Sequence, residues 1–458
     1  RIVAYTLDPA TKNVTGTQVI GSSLDDVMGI AFDPTAPASP VKVYASRRDR
    51  SATDGFESKV SVFTGPAWTR TDIITGLPTG RPLLNHLTNG LAFDSTGKLY
   101  IAQGSQTDSG IVEGGNWPET PLSAAILVAD VSAPGFNGAI TYSPAGVPAD
   151  DNVNKTGGDV SVFAPGTRNP FDLLVHSNGK IYATDNGPSG PNPSATCMTS
   201  VGGVSTSDEL NLIEAGNYYG HPNRNRGRTD ARQCTYHPGE EGNGLDFTGP
   251  IDLLPAHCSC DGITEYIGTA FGGSMQGDLL IAGLQTSQVY RVELSGDGSS
   301  VVSDTSLAGS FNAPLDVTTG ADGTIYVAEF GGDKITYLAP DTDHDGCADS
   351  RELGTQGSLG GARNPDFFWD FFDTPDATNV RDRIISAGDI LRLVFRFGST
   401  GNAAIDPLSM PPGSGYHPAF DRSAPTPGGD PWDLNAADGS ISAGDILFVV
   451  KQFGHTCA

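Results

Sequence analysis

The sequence predicts an all-β fold, a β-propeller, followed by a small α-helical calcium-binding domain. Three observations carry that expectation. A two-strand phrase recurs five times between residues 29 and 330. Helical periodicity is almost absent before residue 386. After residue 340 the composition shifts to aspartate-rich loops leading into short amphipathic runs.

The phrase begins as GIAFDPTAPASPVKVYASR at Gly29 and returns as NGLAFDSTGKLYIAQGS at Asn89 and FDLLVHSNGKIYATDNG at Phe171. Looser copies start at Ile267 and Pro314. Each is a short apolar strand, a turn with Gly or Asn, and a second strand. Further strands follow, among them KVSVFTG, AAILVAD, QVYRVEL and KITYLAP. Antiparallel units of four short strands, separated by long excursions, describe propeller blades. A sandwich would show shorter and more even spacing.

Composition bounds the function. The chain has 458 residues, 59 of them Gly and 32 Pro, with a formal net charge of -26. That length suits one large domain and a smaller one. An acidic surface repels nucleic acid and anionic lipid and attracts divalent cations. No apolar stretch is long enough to span a bilayer. The chain opens on the strand-like RIVAYTL, so any export signal is expected to have been removed already.

Six cysteines, Cys197, Cys234, Cys258, Cys260, Cys347 and Cys457, are widely spaced. Their even count suggests disulfides in an oxidising, extracellular setting. Zinc is the competing reading, although Cys258 and Cys260 are too close for a usual zinc pair and no His/Cys pair follows suitably. For disulfides the expectation is that Cys258 and Cys260 pair separately with Cys197 and Cys234, and Cys347 with Cys457.

The stretch APGTRNPFDLLVHSNGKIYATDNGP at 164–188, with SDELNLIEAGNYYGHP at 207–222, resembles the soluble glucose/sorbosone dehydrogenases. The resemblance covers most of residues 1–340. It implies a six-bladed propeller that binds pyrroloquinoline quinone (PQQ) and calcium. It also implies that His86 is the base taking the C1 proton, and that Arg168 and Asn169 touch the quinone. The carbonyls of Gly187 and Pro188 would hold the bridging calcium, with Asp208 at a further acidic position. The family's lysine and two arginines, which grip the cofactor's carboxylates, correspond to Gln285, Ala313 and Leu315 here. A charged hydrogen bond contributes about 1.5–3 kcal/mol, so losing several weakens binding by roughly three powers of ten or more. The resemblance therefore implies the family's shape with PQQ in doubt.

DTDHDGCADSRE fits the calcium-loop template D-x-D-x-D-G-x5-E, with Asp341, Asp343, Asp345, Asp349 and Glu352 as ligands and Cys347 contributing its carbonyl. A similar loop occurs in thrombospondin type 3 repeats. The phrase ISAGDIL then occurs at Ile385–Leu391 and again at Ile441–Leu447. Asp433, Asn435, Asp438, Ser440 and Asp445 surround or fall in the second, and Asp370, Asp382 and Asp389 stand in matching places around the first. Loop, helix, spacer, loop, helix resembles the dockerin modules, whose partner is a cohesin domain. The expected domains are 1–340 (propeller), 341–353 (calcium loop) and 354–458 (dockerin-like, with a Pro-rich spacer at 401–431).

RIVAYTL and TGTQVIG read as outer strands of a blade whose inner pair would lie upstream of Arg1. An open blade edge invites strand addition, and head-to-tail addition propagates. Two functions follow as expectations. One is a secreted structural or adhesive protein that self-associates into a homo-oligomer or filament, or docks on a cohesin-like domain, with carbohydrate a possible ligand. The other is a PQQ- and calcium-dependent sugar dehydrogenase tethered outside the cell.

Overall fold

The computed structural model describes the chain apart from residues 10–11, 52–54, 81–85, 111, 113–116, 147–151, 189–190, 194–199, 204–206, 235–246 and 458. Two compact units divide it. The first comprises Arg1–Ala4 and Gln18–Tyr337, and the second Tyr5–Thr17 and Leu338–Ala458.

The first unit is predominantly β and propeller-like, with five blades among the described residues. Blade one runs Asp25–Ala31, Lys42–Arg48, Ser58–Thr64 and Thr69–Leu77. Blade two is Thr88–Phe93, Leu99–Gln103, Ala125–Ala129 and Ser161–Pro165. Blade three is Pro170–Val175, Ile181–Asp185, Ser207–Ile213 and Asp252–Ala256. Blade four is Cys260–Glu265, Leu279–Gly283, Gln288–Leu294 and Val301–Gly309. Blade five has three strands, Pro314–Thr319, Ile325–Glu329 and Lys334–Leu338. All pairings are antiparallel between sequence neighbours, except that the fourth strand of blade two joins after an inserted ribbon, Thr141–Ser143 with Asn154–Gly157, and the third strand of blade three after another, Pro191–Pro193 with Ser200–Gly203.

The first strands of the blades pack on one another in chain order. They come so close that a Cβ on Gly90 would lie 2.1 Å from Asp172 Oδ1, and one on Gly262 2.3 Å from Asp316 Oδ1. Glycine is required there. Each inner strand also shifts register near its start, at Asp25–Gly29, Thr88–Leu91, Pro170–Leu173, Cys260–Ile263 and Pro314–Asp316. Such bulges re-aim side chains at a sheet's end. Between blades the core is aliphatic, for example Ile74, Leu99, Ile101 and Leu127, and Leu210, Leu279, Ile281 and Val292.

The fourth phrase departs from its reading. The strand preceding LLIAG is CDGITE (Cys260–Glu265), and the stretch after Ile267 is turn. The alternation that builds the strand lies upstream of the phrase. RIVAYTL and TGTQVIG pair with each other as an isolated two-stranded ribbon, whose base residues Ile2 and Ile20 pack on Val43, Ala45 and Phe63 of blade one. Six blades are not seen among the described residues.

The second unit packs Phe371, Phe372, Ile385, Leu393, Ala419, Phe420, Leu434, Ile441 and Val449 into its own core. Residues of the Pro-rich segment thus belong to that core, with Ala419 fully buried. Helices Ala387–Arg396 and Ala443–Lys451 start at Ser386 and Ser442, each with a capping box closed by Asp389 or Asp445. From the helices, Ile390 and Leu393 in the first and Ile446, Phe448 and Val449 in the second pack into or against the core. Cys347 and Cys457 are joined as expected. Cys258 and Cys260 are joined to each other, which corrects the expected scheme. Their Cα atoms stand 5.0 Å apart, within bridging reach, because the chain turns at Ser259 with φ 44°. Cys197 and the side chain of Cys234 lie outside the described residues.

Candidate active site of the propeller

In an antiparallel blade the entry to the first strand and the exit of the second lie at one end. His86 precedes the first strand of blade two, and Gly104 and Ser105 follow its second. Arg168 and Asn169 precede the first strand of blade three, and Asn186, Gly187 and Pro188 follow its second. The topology therefore gathers all these residues at one mouth. Gly104 is the meeting point: a Cβ there would lie 2.7 Å from His86 Cβ and 3.0 Å from Asn169 Oδ1.

His86 is buried, with Nδ1 2.9 Å from Ser105 Oγ. Burial, then the charge of Arg168, holds its pKa well below the ordinary histidine value, so the imidazole is neutral. A neutral ring is able to accept a proton. Asn169 accepts a bond from Asn89 Nδ2 at 3.0 Å. Ahead of it, Gly166 at φ 97° lets the chain pass under Tyr218, where a Cβ would clash at 2.4 Å.

Asp185 fixes the Arg-Asn pair. Its carboxylate accepts the backbone N–H of Arg168 at 2.8 Å and that of Asn169 at 2.7 Å. The Arg168 guanidinium is already engaged. It donates to the carbonyl of Asp108 at 2.9 Å, to the Asp108 carboxylate through both Nε and Nη2, and to the carbonyl of Asn186 at 2.9 Å. Gly187 donates its N–H to Asp208 Oδ1 at 3.0 Å. Asp208 also lies with Cys258 and Cys260, but sulfurs joined in a disulfide are not thiolate ligands. Burial raises Asp185 to about 7 and, with the charge of Asp185, Glu209 to about 8. The mouth is thus crowded with buried acidic side chains that hold their protons toward neutral pH.

Asp108, Asp185, Glu209 and the buried His221–Glu119 pair at 3.2 Å were not singled out from sequence. Asp185 was reachable, since it stands inside YATDNGP between the Arg-Asn pair and Gly187. Asp108 was not, because its role exists only where blades two and three meet.

The cavity beside Arg168, Asn186, Gly187 and Pro188 has a volume of ≈ 10 Å³, room for about one water. A cofactor-sized ligand needs about 300 Å³ or more. Gln285 is exposed, and Ala313 and Leu315 are uncharged and half-buried. Among the described residues these do not fit PQQ: the cavity beside Arg168 is small, the arginine is paired with Asp108, and the further cations are missing.

A propeller whose mouth joins a buried histidine to an Arg-Asn pair defines a protein of the sugar-dehydrogenase type. The glucose/sorbosone dehydrogenase family model matches residues 8–335, and the chain belongs to that family. Among solved structures it is similar to the PQQ-bound aldose sugar dehydrogenase of Streptomyces coelicolor, at 19% identity over 74% of this chain and 90% of that one, with a TM-score of 0.47. The apo soluble aldose sugar dehydrogenase of Escherichia coli matches at 17% identity, covering 71% of this chain and 95% of that one, with a TM-score of 0.42. The PQQ domain of pyranose dehydrogenase from Coprinopsis cinerea matches at 16%, covering 74% and 87%, with a TM-score of 0.49. No curated protein matches. No helix among the described residues is long and apolar enough to cross a membrane.

In the second unit, Asp341, Asp343 and Asp345 each accept a loop N–H, from Gly346, Asp345 and Cys347 respectively. Asp349 caps Thr342 through both carboxylate oxygens. Asp438 Oδ1 and Asp421 Oδ2 share the N–H of Ser440, while Asp445 accepts the N–H of Arg422 at 2.7 Å. Asp433 and Asn435 bond elsewhere, to Asp430 and Ala424. Before the first helix, Asp382 accepts the N–H of Ile384; in its first turn, Asp389 holds Thr374, Ser386 and Arg392. Asp373 and Asp421, the acids of two Phe-Asp pairs, occupy equivalent places in the two halves and were missed, because a long excursion separates each from its loop.

Proposed function

We propose that the chain is a secreted, calcium-binding propeller protein whose sugar-dehydrogenase site no longer holds its quinone. Its role is then structural or adhesive, outside the cell. The observation carrying this reading is the Arg168–Asp108 pair in a cavity that admits about one water. An anionic cofactor would have to displace Asp108 from Arg168, in a cavity lined by the acidic side chains of Asp185 and Glu209.

The C-terminal unit supplies a docking face under this reading. Its two helices expose equivalent apolar residues, Leu391 and Leu447 at 53% and 52%, and the segments just past them expose Phe397 and Phe453 at 57% and 56%. Matched exposure in a duplicated unit supports a dockerin-like contact with a cohesin-like domain or with another copy. Ile30 at 54% and Phe32 at 59%, on and beside the inner strand of blade one, support self-association through the ring. With calcium present, light scattering at micromolar concentration should show species larger than a monomer, and Leu391→Asp with Leu447→Asp should reduce them. A strictly monomeric wild type contradicts the self-association.

A second reading, a PQQ- and calcium-dependent sugar dehydrogenase, is favoured by the neutral His86 beside Asn169. Dye reduction with a panel of aldoses, after adding PQQ and calcium, separates the two. The expected result is no turnover above the protein-free control. Turnover abolished by His86→Ala would establish the enzyme instead.

A further inference from the structure

The most electrostatically unbalanced place in the second unit is a knot of carboxylates. Asp343, Asp345, Glu352 and Asp370 bring an oxygen each within 4.8 Å of one another. Asp345, Glu352 and Asp370 are 1%, 0% and 2% exposed. Buried carboxylates repel and demand either protons or a cation.

The hydrogen bonds show how the knot is aimed. Asp341, Asp343 and Asp345 each spend one oxygen on a loop N–H, and Asp370 spends Oδ2 on the N–H of Asn364 at 2.8 Å. The other oxygen of each, Asp341 Oδ1, Asp343 Oδ2, Asp345 Oδ2 and Asp370 Oδ1, is buried without a partner. Both oxygens of Glu352 are buried without one. That leaves six open oxygens. Arg363, one of the arginines beside the knot, directs its guanidinium to the carbonyls of Gly357, Gly361 and Asp370 and to Gln452 and His455.

We infer that Asp341, Asp343, Asp345, Glu352 and Asp370 form one calcium site, composed of the 341–352 loop and an acid eighteen residues beyond it. Six hard oxygens match the coordination calcium takes, and the absence of nitrogen or thiolate donors disfavours zinc. The assignment changes the ligand set that the loop template implies. Asp349 is outside it, because both its oxygens hold Thr342. Asp370 is inside it, although sequence order puts it with the following module. An ion there ties the loop to Phe371 and Phe372, which are fully buried in the core of the unit.

This inference rests on the calcium-binding part of the proposed function, and one experiment tells their failures apart. Calcium is titrated calorimetrically into the metal-free full chain and into the variants Asp370→Asn and Asp349→Asn, with magnesium as a competitor. The composite site predicts that D370N weakens the tightest binding on the order of 10–100-fold, while D349N changes it less than about threefold. Glu352→Gln serves as a second variant if D370N does not fold, with the same expected loss. A wild type that binds no calcium overturns both readings. Calcium binding that D349N weakens as much as D370N, or that D370N and E352Q leave unchanged, overturns the composite site alone.

Discussion

Replacing Cys347 and Cys457 by serine should destabilise the C-terminal unit by about 4–5 kcal/mol. The bridge closes a loop of 110 residues, and in the chain-entropy account a loop near that length restricts the unfolded state by about 4.7 kcal/mol. Both sulfurs are buried in the core with Phe371 and Phe372, so the exchange also removes packing. A denaturant titration of the double variant should show an earlier, separate transition for this unit. The Cys258–Cys260 bridge spans two residues and restricts the unfolded chain far less, so its loss is the natural control. A change under about 1 kcal/mol on removing the long bridge would contradict the account.

Stripping calcium should act on the same unit. A ligand bound only by the folded state stabilises it by about 2.7 kcal/mol per site at a hundred times the dissociation constant. For a unit of this size that moves the melting temperature by about 10 °C. The effect should depend on pH. Burial raises Asp343 to about 7, Glu352 to about 9 and Asp370 to about 6, with neighbouring carboxylates adding to it. These folded values lie above the unfolded ones, so the metal-free unit is most stable below about pH 4. It loses that stability as pH rises through 6 to 9. Calcium binds the ionised forms and reverses the trend. The gap between calcium-loaded and metal-free melting temperatures should therefore widen from pH 5 to pH 8. A constant gap would mean that these carboxylates are not the ligands.

The propeller was legible because its signal is local and repeated. A strand, a Gly or Asn turn and a second strand recur, and neighbouring strands pair within each blade. The gathering of His86, Arg168 and Asn169 was legible for the same reason, since each stands at a fixed place relative to a phrase. The residues that decide the chemistry were harder to read. Asp108 sits in an excursion of blade two and pairs with Arg168, which precedes the first strand of blade three. Asp370 reads as part of the following module and joins the preceding loop through folding. The cysteine scheme failed on Ser259, whose left-handed backbone lets two cysteines one residue apart meet. Spacing alone does not reveal that turn.

The central claim is that the propeller keeps the family's fold and has lost its cofactor. Titrating PQQ into the full chain with calcium present, followed by calorimetry, tests it most directly. With Arg168 held by Asp108 and uncharged Gln285, Ala313 and Leu315 in the cations' places, the account predicts a dissociation constant no tighter than about 10 μM. A nanomolar constant, with dye-linked turnover that His86→Ala abolishes, would contradict it.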